Sequence, residues 1–428
     1  MAGAIVSKID TVWVDLPFKV RAARYVTEHW AVNFQSVCQV CRVTLQNGVA
    51  GFGEGGVDTA AAARLFGRDP SEAMWDDAVG PGLQMALFDA AARTRDVPIH
   101  RLIGAKQRHS AALSWWAPAM PPRDWADECI EARSAGYTWF KAKARPWVDL
   151  DAACGALDAA GVRQLAVGFD FNSWLQSCRI AEPYLLGLER FSRISLWEEP
   201  IPGGDLSGNQ LLRAKTRVPI VLHFDDPPVE FSLGEDICAG FVIGGGVKAV
   251  LEQARTCASA GKPFVLQMPG SGLRAAFCLQ IAAVLPESPW PAVTLHHLFE
   301  KSLIEPTGEL RDGKAAISDS PGLGFEVNLD TLERYGSQQP TMHCASPANR
   351  LFSIQWPNGS TSYYTSMRDA EAEFRTGCLP LFLPGVLAEE IPEDDSREWA
   401  DLHRRAKRGG VHVGPVPITQ AAACLSKP

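Results

Sequence analysis

Between Ala111 and His297 short apolar runs alternate with amphipathic stretches, and no other feature limits the fold of this chain so strongly. The runs are AALSWW, TWFKAKA, QLAVGFDF, RISLWEEP, VPIVLHF, ICAGFVI, PFVLQM and AVTLHH, eight in all. Short apolar segments bounded by turn residues read as buried strands. The stretches between them, such as PRDWADECIEARSAG and VKAVLEQARTCASAGK, place apolar residues at helical spacing, in the second case Val247, Val250, Leu251 and Ala254. Strand and helix in repetition predict a parallel sheet. This number of strands favours a closed barrel of βα units, with a large open doubly wound sheet as the alternative. Gly244-Gly245-Gly246 lacks the G-x-G-x-x-G spacing and the later acid of a dinucleotide loop, and predicts a tight turn into a helix.

The flanks follow other patterns. Residues 1–55 read as strands, AIVSKIDTVWVDLPF and SVCQVCRVTLQNGVAGFGE, with QNG supplying a hairpin turn. The stretch beginning GPGLQMALFDAAARTRDVP predicts a helix that ends near Asp96 and Pro98. Beyond residue 336, RLFSIQWPNGSTSYYT predicts a hairpin turned at PNGS, and MRDAEAEFRTG and DDSREWADLHRRAKRGG predict helices. The second has acids at its start and bases then glycine at its end, as the helix dipole favours. LPLFLPGVLAEEIPE, too apolar to be left in water, predicts a connection that hugs the surface. The expected domains are 1–108, a reduced α+β cap; 109–336, the barrel; and 337–428, a small α+β extension.

Lys+Arg of 41 against Asp+Glu of 49 gives a formal charge of −8, and no basic run stands out, which excludes nucleic acid and anionic membrane as expected partners. The N-terminus lacks a basic start followed by an unbroken apolar stretch, and no segment is apolar for long enough to span a bilayer, so a cytoplasmic protein is expected. The 11 cysteines are scattered and fit reduced thiols. Cys38 and Cys41, three apart on a predicted strand, point to opposite faces and read as core residues rather than a metal clip.

Barrel enzymes carry their chemistry at the C-terminal ends of strands. The second strand ends in Lys141-Ala142-Lys143, both lysines on one face. Crowded lysines in a barrel mouth require anions or substrate beside them, and one can become a base; solvated lysines at a frayed end are the bland alternative. The third strand ends in Asp170-Phe171-Asn172 and the fourth in Glu198-Glu199-Pro200. Asp170 follows Lys143 by 27 residues and Glu198 follows Asp170 by 28, so the three occupy equivalent places on successive βα units. Oxygen ligands from adjacent strands suit a hard cation such as Mg²⁺.

Taken with PF at residues 17 and 18, GFGE at 51–54, MALFDAAARTRDVPIHRLIGA, and the closing PGLGFEVNLDTLERYG, this pattern resembles the enolase superfamily in its mandelate racemase and muconate lactonizing enzyme branch. The resemblance covers about residues 1–336. It implies an α+β capping domain over a modified TIM barrel, (β/α)7β, with Mg²⁺ held by three strand-end acids and abstraction of a proton α to a carboxylate. It implies Lys143 as the base, Lys141 as its electrostatic partner, and Asp170 and Glu198 as metal ligands. The third ligand is expected on the fifth strand, where His223 and Phe224 stand; His223 and Asp225 share a face if that strand stays extended. Where some members carry a second base, this chain has Gly240, Ile243 and Gln267, which disfavours a two-base racemase and leaves one-base chemistry such as dehydration. Asn172, Gln267 and Glu300 are expected to contact substrate, as are Arg21, Arg24, Tyr25 and His29 of the N-terminal loop. A small carboxylate substrate and a homo-oligomer are expected. A family member that has lost catalysis and serves as a binding or structural protein is the alternative.

Overall fold

The computed structural model describes residues 4–26, 30, 36–162, 164–305, 310–340 and 349–415. In the N-terminal domain an antiparallel sheet joins β1 (Val6–Asp15), β2 (Val37–Leu45) and β3 (Ala50–Glu54), and a short helix α1 (Val20–Tyr25) lies between the first two strands. The QNG turn joins β2 to β3, as its residues predict. Helix α2 (Pro81–Thr94) lies directly on β3. Gly51 and Gly53 permit this: a Cβ on Gly53 would stand 2.1 Å from the Gly82 carbonyl oxygen, and one on Gly51 2.3 Å from that of Ala86. After the barrel the chain returns at Gly336–Ser337 to pair with β1.

The barrel contains the eight expected strands. They are β4 (Ser110–Ala117), β5 (Trp139–Lys143), β6 (Ala166–Asp170), β7 (Ile194–Glu198), β8 (Ile220–His223), β9 (Gly240–Ile243), β10 (Phe264–Leu266) and β11 (Ala292–Val293). Each pairs in parallel with its neighbour from β4 to β10, and β11 closes the ring by pairing with β4 and bridging at Val293 to Gln267. Closure removes both free edges and excludes the open doubly wound alternative. Trp116, Leu196, Val221, Val242, Val265 and Val293 fill the interior, and Ala22 and Val26 from the α1 segment join them. The outer helices bury apolar faces against the strands, among them α3 (Pro122–Ser134), α4 (Leu150–Ala159), α5 (Cys178–Leu188), α6 (Leu206–Lys215), α7 (Val247–Ser259) and α8 (Gly272–Ala282).

Carboxylates fasten the N-terminal domain to the barrel. Glu54 accepts from the Ser271 N–H at 2.8 Å and its hydroxyl at 2.7 Å, at the start of α8. Asp77 accepts from the Lys248 and Ala249 N–H groups at the start of α7. Both satisfy helix-terminal donors and set a negative charge at the positive end of the dipole. The GGG turn enters α7 as expected, and Gly246 leaves room for Asp77, whose Cγ would be 2.2 Å from a Cβ there.

The C-terminal extension is a four-stranded antiparallel sheet with two helices. Its elements are β12 (Leu351–Gln355), β13 (Thr361–Tyr364), α9 (Met367–Arg375), β14 (Leu387–Ile391), α10 (Arg397–Ala406) and β15 (Val411–Val413), in sheet order β14-β12-β13-β15. The hairpin and both helices follow the sequence expectation. LPLFLPGVLAEEIPE does not remain a surface connection: Leu379, Leu381, Phe382 and Val386 are buried, and LAEEI becomes a strand on β12. With one buried residue, Ala388, beside two adjacent glutamates and prolines on both sides, this segment carries no period-two signal. The sheet packs on the loops that follow β5 and β6. Phe382 lies between Phe171 and Tyr184, Phe374 meets Trp147, and the Gly385 N–H donates to Asp149 at 2.6 Å.

Candidate active site

Strand alternation sends Lys141 and Lys143 from β5, Asp170 from β6, Glu198 from β7 and Gln267, just after β10, towards one point at the C-terminal end of the barrel. The Lys141 ammonium is 2.7 Å from Glu198 Oε1 and 2.6 Å from Oε2, 2.7 Å from Gln267 Oε1 and 3.4 Å from Asp170 Oδ2. Lys143 donates to Asp170 Oδ2 at 2.6 Å and to Asn172 Oδ1 at 2.9 Å. Asp170 and Glu198 are buried, Lys141 is 5% exposed, and the Lys143 side chain, 20% exposed, reaches towards solvent. His223 Nε2 stands 3.5 Å from Glu198 Oε1.

Burial opposes the charge on Lys141, but Glu198 and Asp170 outweigh it and hold its pKa above the ordinary lysine value. Burial likewise opposes ionisation of Asp170, yet Lys143 and Lys141 hold its carboxyl below the usual range. Burial raises Glu199, reinforced by Asp170 and Glu198 and opposed by His223. For His223 burial is outweighed by Glu198 and Glu199, so its pKa rises. Lys141 is therefore a fixed cation and an unsuitable base. A neutral Lys143 amine retains two N–H donors for Asp170 and Asn172 and has a lone pair left to take a proton.

The sequence passed over Arg145 and Glu199. Arg145 continues the alternation of Lys141 and Lys143 beyond the strand end; it is buried, donates to Asn172 Oδ1 at 3.1 Å, and its Nε has no partner. Glu199 accepts from Asn172 Nδ2 at 3.4 Å. Its left-handed backbone, φ 43°, breaks the strand alternation that would have turned it away, which is why spacing alone did not find it.

Five expected site residues lie elsewhere among the described contacts. Strand β8 ends at His223 rather than staying extended: the Asp226 N–H bonds back to the His223 carbonyl at 3.2 Å, and Asp225 is exposed on that turn. Glu300 is exposed, its N–H bonded to the Pro17 carbonyl at 2.9 Å. Tyr25 is buried with its hydroxyl donating to Asp124 of α3, and Arg24 lies 3.7 Å from the same carboxylate. Arg21 pairs with Glu128 and Glu131. These residues hold the N-terminal segment against α3. His29 lies outside the described residues.

The donor set does not fit a three-carboxylate Mg²⁺ cage. Among the described residues no three His, Cys, Asp or Glu side chains converge to hold a cation. Phe224 packs its ring on Phe241 at 5.5 Å, and Lys141 already bonds both carboxylates that would serve as ligands. A hard cation needs oxygen donors that are free to turn towards it.

A family profile described as Enolase C-terminal domain-like matches residues 242–331. The D-galactonate dehydratase of Xanthomonas euvesicatoria pv. vesicatoria is 23% identical over 287 residues, which cover 60% of this chain and 74% of that enzyme. The muconate lactonizing enzyme from Pseudomonas putida superposes with a TM-score of 0.62 at 23% identity, over 78% of this chain and all (100%) of the other. An enolase from Thermobispora bispora, solved with magnesium and formate, superposes with a TM-score of 0.64 at 19% identity, over 77% of this chain and 92% of the other.

Proposed function

Because the chain belongs to the enolase superfamily, in its mandelate racemase and muconate lactonizing enzyme branch, we propose that it is a one-base lyase or isomerase that removes the proton α to the carboxylate of a small hydroxy or sugar acid. One observation carries this reading: Lys141 and Lys143 share a face of β5 and meet Asp170 and Glu198 at the same level of the barrel mouth. Lys143, the more exposed lysine, is the base. Lys141 and Arg145 supply fixed positive charge for the substrate carboxylate as it becomes an enediolate. Gln267 on the opposite side donates hydrogen bonds and takes no proton, so a proton returned to that face is not part of this chemistry. Dehydration fits best. The α-proton passes to Lys143, and the β-hydroxyl leaves as water with a proton from His223, whose pKa is raised by Glu198 and Glu199. Superfamily members bind Mg²⁺, which supplies Lewis-acid polarisation of the carboxylate; the donor set here does not fit that ion, and no step is routed through it.

The test is α-proton exchange. A panel of aldonic and aldaric acids is incubated in D₂O with the protein and followed by proton NMR, with and without Mg²⁺. Loss of the α-proton signal for one acid, abolished in Lys143→Ala, is the expected result. An unchanged panel would overturn the reading and favour a binding protein. That alternative draws on one observation, the C-terminal sheet seated on the loops after β5 and β6.

A further inference from the structure

We propose that the Lys141 ammonium takes the place of the divalent cation, so that the site carries its positive charge on Lys141, Lys143 and Arg145 and receives a carboxylate substrate without a metal. The substrate part of this inference rests on the reading above; the cation part stands on geometry alone.

The Lys141 ammonium donates to Glu198 Oε1 and to the Gln267 amide oxygen, each at 2.7 Å, and pairs with the Asp170 carboxylate, its Oδ2 3.4 Å away. That shell comes from three strands, β6, β7 and the end of β10, and it surrounds a cation fixed to the chain itself. The fifth strand supplies no carboxylate, with Phe224 against Phe241 and Asp225 exposed on the turn, and brings only the His223 imidazole, 3.5 Å from Glu198 Oε1. Charge counting agrees. The fixed cations Lys141 and Arg145 already balance the two carboxylates Asp170 and Glu198 before any metal arrives. A divalent ion would add two charges beside two ammoniums and would have to strip Lys141 from Glu198, leaving that lysine buried and unpaired. Arg145 completes the argument for an anionic ligand. It is buried, no carboxylate among the described residues lies within ion-pair distance, its Nε has no partner, and its only side-chain acceptor is Asn172, which also binds Lys143. A buried guanidinium of this kind is best matched by a carboxylate brought by the substrate.

The experiment titrates Mn²⁺ into chelator-treated full-length protein and reads bound ion by electron paramagnetic resonance, for the natural chain, Asp170→Asn and Lys141→Met. The natural chain is expected to show no saturable binding at millimolar Mn²⁺. Lys141→Met, with both carboxylates freed, is expected to gain affinity. Submillimolar binding to the natural chain that disappears in Asp170→Asn would overturn the proposal, and this holds even if Lys141→Met does not fold. The D₂O exchange assay repeated with excess EDTA separates the two claims. Exchange that survives EDTA supports the metal-free site. Exchange that requires added Mg²⁺ overturns it and leaves the proton-abstraction reading intact. Absence of exchange in every condition, with no Mn²⁺ bound, overturns the proton-abstraction reading while the ammonium remains the cation of the site.

Discussion

Lys141 of β5 and Glu198 of β7 form a two-oxygen ion pair across the barrel interior, the ammonium 2.7 Å from one carboxylate oxygen and 2.6 Å from the other, with both side chains buried. Removing one partner leaves an uncompensated buried charge, which typically costs about 3–5 kcal/mol. Lys141→Met is therefore expected to lower unfolding free energy by roughly that amount. Adding Glu198→Gln should restore part of it, because the stranded charge is gone. Urea unfolding of the two single variants and the double variant checks this. Strict additivity would show that the pair is not coupled.

Gly53 and Gly51 on β3 let α2 approach the strand more closely than any side chain allows. At Gly53 the obstruction is the Gly82 backbone carbonyl 2.1 Å away, which cannot swing aside as a side-chain tip does. Gly53→Ala is expected to cost about 2–3 kcal/mol or to prevent docking of the N-terminal domain. Gly48→Ala is a poor control because its φ of 84° is itself strained; Gly56→Ala, with nothing within 4 Å of its Cβ, should shift the melting temperature little. Equal losses for Gly53→Ala and Gly56→Ala would remove the packing explanation.

The barrel was legible because apolar runs and amphipathic stretches alternate with few interruptions, and because Lys141, Lys143, Asp170 and Glu198 fall at strand ends where period-two alternation fixes direction. Residues outside regular strands were not legible. Asp225 was placed by assuming that β8 continues, whereas the backbone turns after His223. Glu199 reaches the site through a left-handed residue that no alternation rule anticipates. Arg24 and Tyr25 sit on a helix whose partner, Asp124, is a hundred positions away in the chain, and charge alone does not reveal which partner a side chain takes. In the extension, β14 was hidden by prolines on both sides, and β15 is only three residues long.

The extension shares its core with the barrel. Phe382, 3% exposed, lies 5.5 Å from the ring of Phe171 and 5.1 Å from that of Tyr184. Phe382→Ala removes a buried aromatic ring and is expected to cost about 3–5 kcal/mol. Because Phe171 is flanked by Asp170 and Asn172, the same change should also weaken whatever ligand the site binds. Leu329→Ala, at a residue 54% exposed, is the control and should leave stability nearly unchanged. Chemical unfolding of both variants decides it: a Phe382→Ala protein as stable as the natural chain would mean that the extension docks without contributing to the core.

His297, after β11, is buried with its ring 4.2 Å from Trp115. Its Nε2 lies 2.9 Å from the Trp116 carbonyl oxygen and 3.2 Å from the Trp116 N–H, while Nδ1 is buried without a partner. Burial depresses its pKa well below the ordinary imidazole value of 6.5, with His296 adding to the effect. The folded chain thus keeps this ring neutral at a pH where the unfolded chain protonates it. The contribution to stability is fully present above pH 6.5 and falls as the pH drops below that value, by about 1.4 kcal/mol per pH unit for one proton. His297→Gln retains a donor for the carbonyl and has nothing to titrate. The stability advantage of the natural chain over His297→Gln is therefore expected to shrink by about 2 kcal/mol between pH 6.5 and pH 5. Urea unfolding at half-unit steps of pH measures it, and parallel curves for the two proteins would show that His297 takes up its proton in the folded state as readily as in the unfolded one.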